Sequence, residues 1–145
     1  GDVMRGSAEA ALSWVRAHAQ ELGLPEKALL PGEIHLHIPA GAVPKDGPSA
    51  GVALVTAIVS ALAGRCARGD VAMTGEISLR GRVLPVGGIK GKIFAASRAG
   101  IETVVLPRRN EKDLVDIPDD VKKKLDIRLV DTIQEALAIT LSPQA

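Results

Sequence analysis

Fourteen consecutive residues without a charged side chain, Gly51 to Gly64 (GVALVTAIVSALAG), constrain this chain more than any other feature. A segment apolar on every side must be covered on every side, yet this one falls short of the roughly 20 residues that a helix needs to cross a membrane. It is expected as a buried core helix with other layers of structure around it. With 145 residues the chain can supply those layers, since a domain of this size removes about 70% of its unfolded surface from water. Hydrophobic residues make up 46% of the sequence, but with one Trp, one Phe and no Tyr the core has to be built from Ala, Val, Ile and Leu. Stacking on bases or sugars is then nearly unavailable.

The remaining segments alternate between helical and extended patterns. From Ser7, apolar residues Ala8, Ala11, Leu12, Val15, Ala19 and Leu22 recur at helical spacing until Gly23 and Pro25. EIHLHIP alternates strictly, which places Ile34, Leu36 and Ile38 on one face of an expected strand and His35 and His37 on the other. VAMTG reads as a short strand. Ile77–Leu79 and Arg82–Leu84 read as two strands meeting in a tight hairpin at Arg80-Gly81. A helix is expected from Ile89 to Ala99, stopped by Gly100, then a strand in ETVVLP and a short helix capped by Asn110 with Asp113. A short basic helix, the strand DIRLV and a last helix opened by a Thr132/Glu135 capping box complete the chain. One domain over residues 1–145 follows, an α/β (α+β) fold with a mixed sheet and helices packed on it.

A formal charge of +1, from 18 basic and 17 acidic residues, leaves no electrostatic footprint for nucleic acid or an anionic membrane. The run Lys122-Lys123-Lys124 reads as the solvated face of a short helix. Cys66 has no second cysteine to pair with in the chain, so a reducing, cytoplasmic location is the expectation. The opening, GDVMRGSAEAAL, has no initiating Met and stands almost inside a helix, as expected of a piece of a longer protein.

Chemistry concentrates in the loop PAGAVPKDGPSAGVA, Pro39 to Ala53, which leads into the apolar segment. Pro48 is expected at the first helical position, where a missing N–H costs nothing, and Ser49 in the first turn. Outward N–H groups and the helix dipole would stabilise an anion forming beside Ser49, the geometry that a nucleophilic serine needs. Ser49 reads equally well as a plain helix cap. A serine is inert without a base, and the candidates are His18, His35, His37 and the lysines of GGIKGKIFAASRAG. The two strand histidines also suit a metal, but Cys66 and His18 stand at no spacing that completes a ligand set. On a helix of about 100° per residue, Lys92 falls some 60° from Ile89, on the side of Ile93 and Ala96, whereas Lys90 falls at the polar boundary. An amine aimed at the core loses hydration and its pKa drops, which would fit it to accept a proton. The competing reading is a stem that covers apolar surface while the head stays in water.

PKDGPSAG (Pro44–Gly51), preceded by HLHIPAGA and followed by DVAMTGEISLRGRVLPVGGIKGK (Asp70–Lys92), resembles the proteolytic domain of A-type Lon proteases, ATP-dependent serine proteases with a Ser-Lys dyad. The resemblance runs through essentially the whole chain. It implies Ser49 as nucleophile and Lys92 as general base, with Thr74 holding the lysine amine. It also implies that Asp46, Gly47 and Pro48 shape the serine loop and its oxyanion-binding backbone, and that His35, His37 and Arg80 lie near the site. No metal or cofactor is implied for this chain. ATP and Mg²⁺ would belong to an AAA+ module, and no G-x-x-x-x-G-K-[ST] loop occurs here. The family's proteolytic domain begins with strands upstream of residue 1, and full-length relatives assemble as hexameric rings that degrade unfolded or damaged proteins. The main rival is a small-molecule kinase of the GHMP type, which also runs a Gly/Ser-rich loop into a helix. Only Gly47 and Gly51 flank Ser49, however, and no second carboxylate motif stands out. A third reading is an inert scaffold domain.

Overall fold

The computed structural model describes residues 1–25 and 34–143. The first amphipathic stretch is helical over Asp2–Ala17 (α1), beginning before the periodicity that starts at Ser7, and continues as turns through Gly23. The apolar run forms the helix it requires, Gly51–Ala63 (α2). Strands follow at Val71–Met73 (β1), Glu76–Ile77 (β2) and Val83–Leu84 (β3), then the helix Ile89–Arg98 (α3) and the strand Thr103–Pro107 (β4). A 3₁₀ segment, Arg108–Asp116, leads to the short helix Asp119–Lys123 (α4), the strand Asp126–Val130 (β5) and the helix Ile133–Thr140 (α5).

Parallel and antiparallel pairing are both present, in separate sheets. β4 pairs in parallel with β1 on one side and β5 on the other, while β2 and β3 form an antiparallel ribbon. All five residues of β4 are buried, as expected of a central strand covered on both faces. Successive side chains of a strand point to opposite faces. Val71, Val105 and Val130 accordingly join α1, α2 and α5 in one apolar cluster, and Val104 and Leu106 join Ile89, Ile93 and Ala96 of α3 in a second. Trp14, the lone tryptophan, is buried in the first cluster with its ring stacked on His18 at 4.4 Å between centroids. His18 thus packs at the end of α1, with its Nδ1 2.8 Å from the carbonyl oxygen of Trp14.

Four local expectations are corrected. Residues 34–38 form no strand, and their backbone makes no hydrogen bond to another described residue; Glu33 lies outside the described residues. Alternation selects a face, but a strand exists only through its ladder. Ile34, Leu36 and Ile38 do share one side, beside Ala8 of α1 and Leu54 and Ile58 of α2. The hairpin is shorter than expected: pairing stops at Ile77 and Val83, and the intervening turn is closed by bonds from Ser78 N–H to Arg82 and from Gly81 N–H to Ser78. Asn110 caps no helix. Its buried amide instead holds both the N–H and the carbonyl of Val86, fixing the loop ahead of α3. Finally, α2 starts at Gly51 with Ala50 as its cap, so Pro48 and Ser49 precede the helix. The cap at Thr132 forms as expected, its oxygen accepting from Glu135 N–H.

Gly51 shows what seats α2 on the sheet. A Cβ there would lie 3.0 Å from the backbone nitrogen of Ile77 and 2.9 Å from its Cγ1. Alanine normally gains about 1 kcal/mol over glycine within a helix. Here the neighbour is backbone that cannot yield cheaply, so overpacking of about 1–3 kcal/mol should win. Gly51→Ala is expected to lower the urea midpoint, and a raised midpoint would show that α2 has room to move.

Candidate active site

Three side chains from distant parts of the sequence meet in one cavity. It has a volume of about 490 Å³ and is lined by Ser49 and Ala53, by Thr74 at the end of β1, and by Lys92 with Ala96 and Ala99 from the α3 region. Two backbone bonds sew the serine loop to the chain beyond β1: Gly75 N–H donates to the Ser49 carbonyl (3.0 Å), and Val52 N–H donates to the Gly75 carbonyl (3.0 Å). Because β1 is held in the sheet by β4, Ser49 inherits the position of the sheet.

Lys92 lies in the first turn of α3, whose buried stripe is Ile89, Ile93 and Ala96, as helical phase requires. Its Nζ donates to Thr74 Oγ1 at 3.0 Å, and Thr74 Oγ1 donates to the Ser49 carbonyl at 3.3 Å. Thr74 is itself buried. Burial pushes the Lys92 amine below the ordinary lysine range. Lys90, two residues earlier, is exposed. The Ser49 hydroxyl caps nothing and has no hydrogen-bond partner among the described residues, Lys92 included, so its Oγ is free to turn within the cavity.

Asp46 faces the other way, onto the start of α1. Its carboxylate accepts the N–H groups of Met4 (2.7 Å) and Val3 (3.3 Å), and also that of Gly47 (2.9 Å). The bond from Met4 is the largest influence holding this carboxyl below the usual carboxylate range; partial desolvation opposes it. A depressed pKa means that the anchoring is present above the ordinary carboxylate pKa and is lost as pH falls through the lowered one. Gly47 has φ +139°, a conformation that side-chain-bearing residues rarely adopt, so the turn between Asp46 and Pro48 requires glycine. His35, His37 and Arg80 are exposed and are not among the residues lining the cavity. No group of three or more metal-ligating side chains occurs among the described residues.

Sequence reasoning set Lys92 beside Ala96 but missed Ala95, which with Ala96 and Ala99 forms a small-residue wall of the cavity written in the small side chains of FAASRAG. It also missed the bond between Asp46 and α1, for which no local pattern exists.

A serine and a desolvated lysine sharing an apolar cavity on an α/β frame are the features of a hydrolase domain, and the comparisons agree on the class. The family model for the Lon protease (S16) C-terminal proteolytic domain matches residues 1–143, and the chain belongs to that family. It is 58% identical over 145 residues to the Lon protease of Chloroflexus aurantiacus, 59% over 138 to Lon protease 1 of Sorangium cellulosum, and 57% over 143 to the Lon protease of Mycolicibacterium smegmatis. These alignments cover 100%, 95% and 99% of this chain but only 18%, 17% and 18% of the relatives.

Proposed function

We propose that this chain is the serine endopeptidase domain of an ATP-dependent Lon protease and cleaves unfolded or damaged proteins through Ser49 and Lys92. The observation that carries the reading is the amine of Lys92, lowered in pKa by burial and hydrogen-bonded to Thr74 in the cavity that Ser49 also lines. Neutral Lys92 takes the Ser49 proton as Oγ attacks a peptide carbonyl, and backbone N–H groups of the serine loop, that of Ser49 among them, hold the oxyanion. Lys92 then returns the proton to the departing amine. Water, deprotonated by the same amine, attacks the acyl-enzyme and releases the second product. Thr74 serves by accepting one N–H of Lys92, which leaves the lone pair aimed elsewhere in the cavity. Thr74→Val should therefore slow peptide cleavage by about tenfold or more, at a stability cost of about 1–3 kcal/mol for the two lost hydrogen bonds; an unchanged rate would remove Thr74 from the machinery.

Motor function falls outside these residues. ATP and Mg²⁺ would serve an AAA+ module, and a hexameric ring, a cytoplasmic location and a role in protein quality control under stress complete the proposal by analogy with the relatives' name. The test is incubation of the chain with a disordered polypeptide in the absence of nucleotide, followed by mass analysis. New termini at internal peptide bonds are expected. An intact polypeptide with chain that folds normally would contradict the assignment.

A further inference from the structure

Lys45 is a residue for which the mechanism above has no use; it is exposed, yet its head group is turned back onto its own backbone. Its Nζ donates to three backbone carbonyls of its own loop: Ala40 at 2.7 Å, Val43 at 3.1 Å and Pro39 at 3.2 Å. An ammonium has three N–H donors, so the head group is fully used, and the bonds are charge-assisted. No carboxylate among the described residues pairs with it. The carbonyl of Ala40 also accepts from Val43 N–H at 2.9 Å, closing a turn. Ala40 itself sits at φ +61°, in the left-handed region that a residue with a Cβ avoids and holds only when its surroundings impose it.

The next residue in sequence, Asp46, ties the same loop to the first N–H groups of α1. Two consecutive charged side chains therefore hold the backbone at two different places. Lys45 gathers residues 39–43 beneath it, and Asp46 fastens the loop to the helix. Only Gly47 and Pro48 separate this double anchor from Ser49.

We propose that Lys45 is a positioning residue for the nucleophile: it closes the loop of residues 39–45 into a rigid ring that sets the backbone of Gly47–Ser49, and with it the oxyanion-binding N–H groups. The proposal rests on the reading of Ser49 as nucleophile. Lys45 acts through geometry and takes no part in proton transfer. Misplacement of a reacting group by about 1 Å can cost on the order of a hundredfold in rate, so even partial relaxation of the ring should register.

The test compares the unmodified chain with Lys45→Met and Lys45→Arg, reading the rate at which a fluorophosphonate acylates Ser49, its pH profile, the melting temperature and backbone hydrogen exchange. Lys45→Met should acylate about tenfold more slowly, with an unchanged apparent pKa because the Lys92–Thr74 bond is untouched, and with faster exchange at Val43. Lys45→Arg should behave almost as badly, since a planar guanidinium cannot direct N–H groups at three oxygens around one point. Full rescue by arginine would show that positive charge alone matters and would overturn the proposal. So would a wild-type acylation rate in Lys45→Met, or a loss that tracks unfolding alone. If the unmodified chain fails to label at Ser49, the nucleophile assignment fails instead. Exchange at Val43 then still decides whether Lys45 holds the loop, and unaltered exchange in both variants refutes it.

Discussion

Ser49→Ala should lose peptide hydrolysis by ~10³-fold or more while melting like the parent. Removing a nucleophile that acts as a unit with its base costs about as much as removing both, which sets the scale. Stability should change by only about 0.5 kcal/mol in either direction, because the hydroxyl caps no helix and bonds to no described residue. The backbone carbonyl of Ser49, which does hold the loop to Gly75 and Thr74, is untouched by the substitution. Loss of activity with retention of fold is thus the expected pair of results. An active variant would exclude Ser49, and an unfolded one would assign it to the frame.

Lys92 supplies the second large effect. Lys92→Ala should reduce the cleavage rate by a similar ~10³-fold, since an unassisted serine hydroxyl is a weak nucleophile. Lys92→Arg should not restore it, because guanidinium stays protonated at every working pH. Lys90→Ala should stay within a few fold of the parent, its side chain being exposed on the far side of the helix start. The pH dependence has a definite sign. Only the neutral amine accepts a proton, and burial lowers its pKa, so the rate should rise with pH through an apparent value below the ~10.4 of free lysine and then level off. Rates between pH 6 and 10 check this; a profile that falls across the range would rule out an amine base.

What could be seen in the sequence was what depends on neighbours along the chain. The 3.6-residue period of α3 sufficed to separate Lys92 from Lys90, and the buried stripe of Ile89, Ile93 and Ala96 bears out that phase. The run ETVVLP marked a strand, and β4, buried at all five of its positions, is that strand. What could not be seen depends on partners far away. The alternation in residues 34–38 predicts which side chains share a face, and they do, but the presence of a pairing strand is not written in those residues. Serine before an apolar helix suggested a cap, whereas two bonds to Gly75 shift the helix start to Gly51 and leave Ser49 in the turn ahead of it. The carboxylate of Asp46 reaches N–H groups more than 40 residues away, and no periodicity encodes that contact.

One hydroxyl and one amine carry the chemistry, and covalent labelling reads both at once. After exposure to a peptidyl fluorophosphonate, mass-spectrometric mapping should place a single adduct on Ser49 in the unmodified chain and in Lys90→Ala, and none over the same interval in Lys92→Ala. An adduct on another residue, or on Ser49 at the full rate without the Lys92 amine, would contradict the dyad.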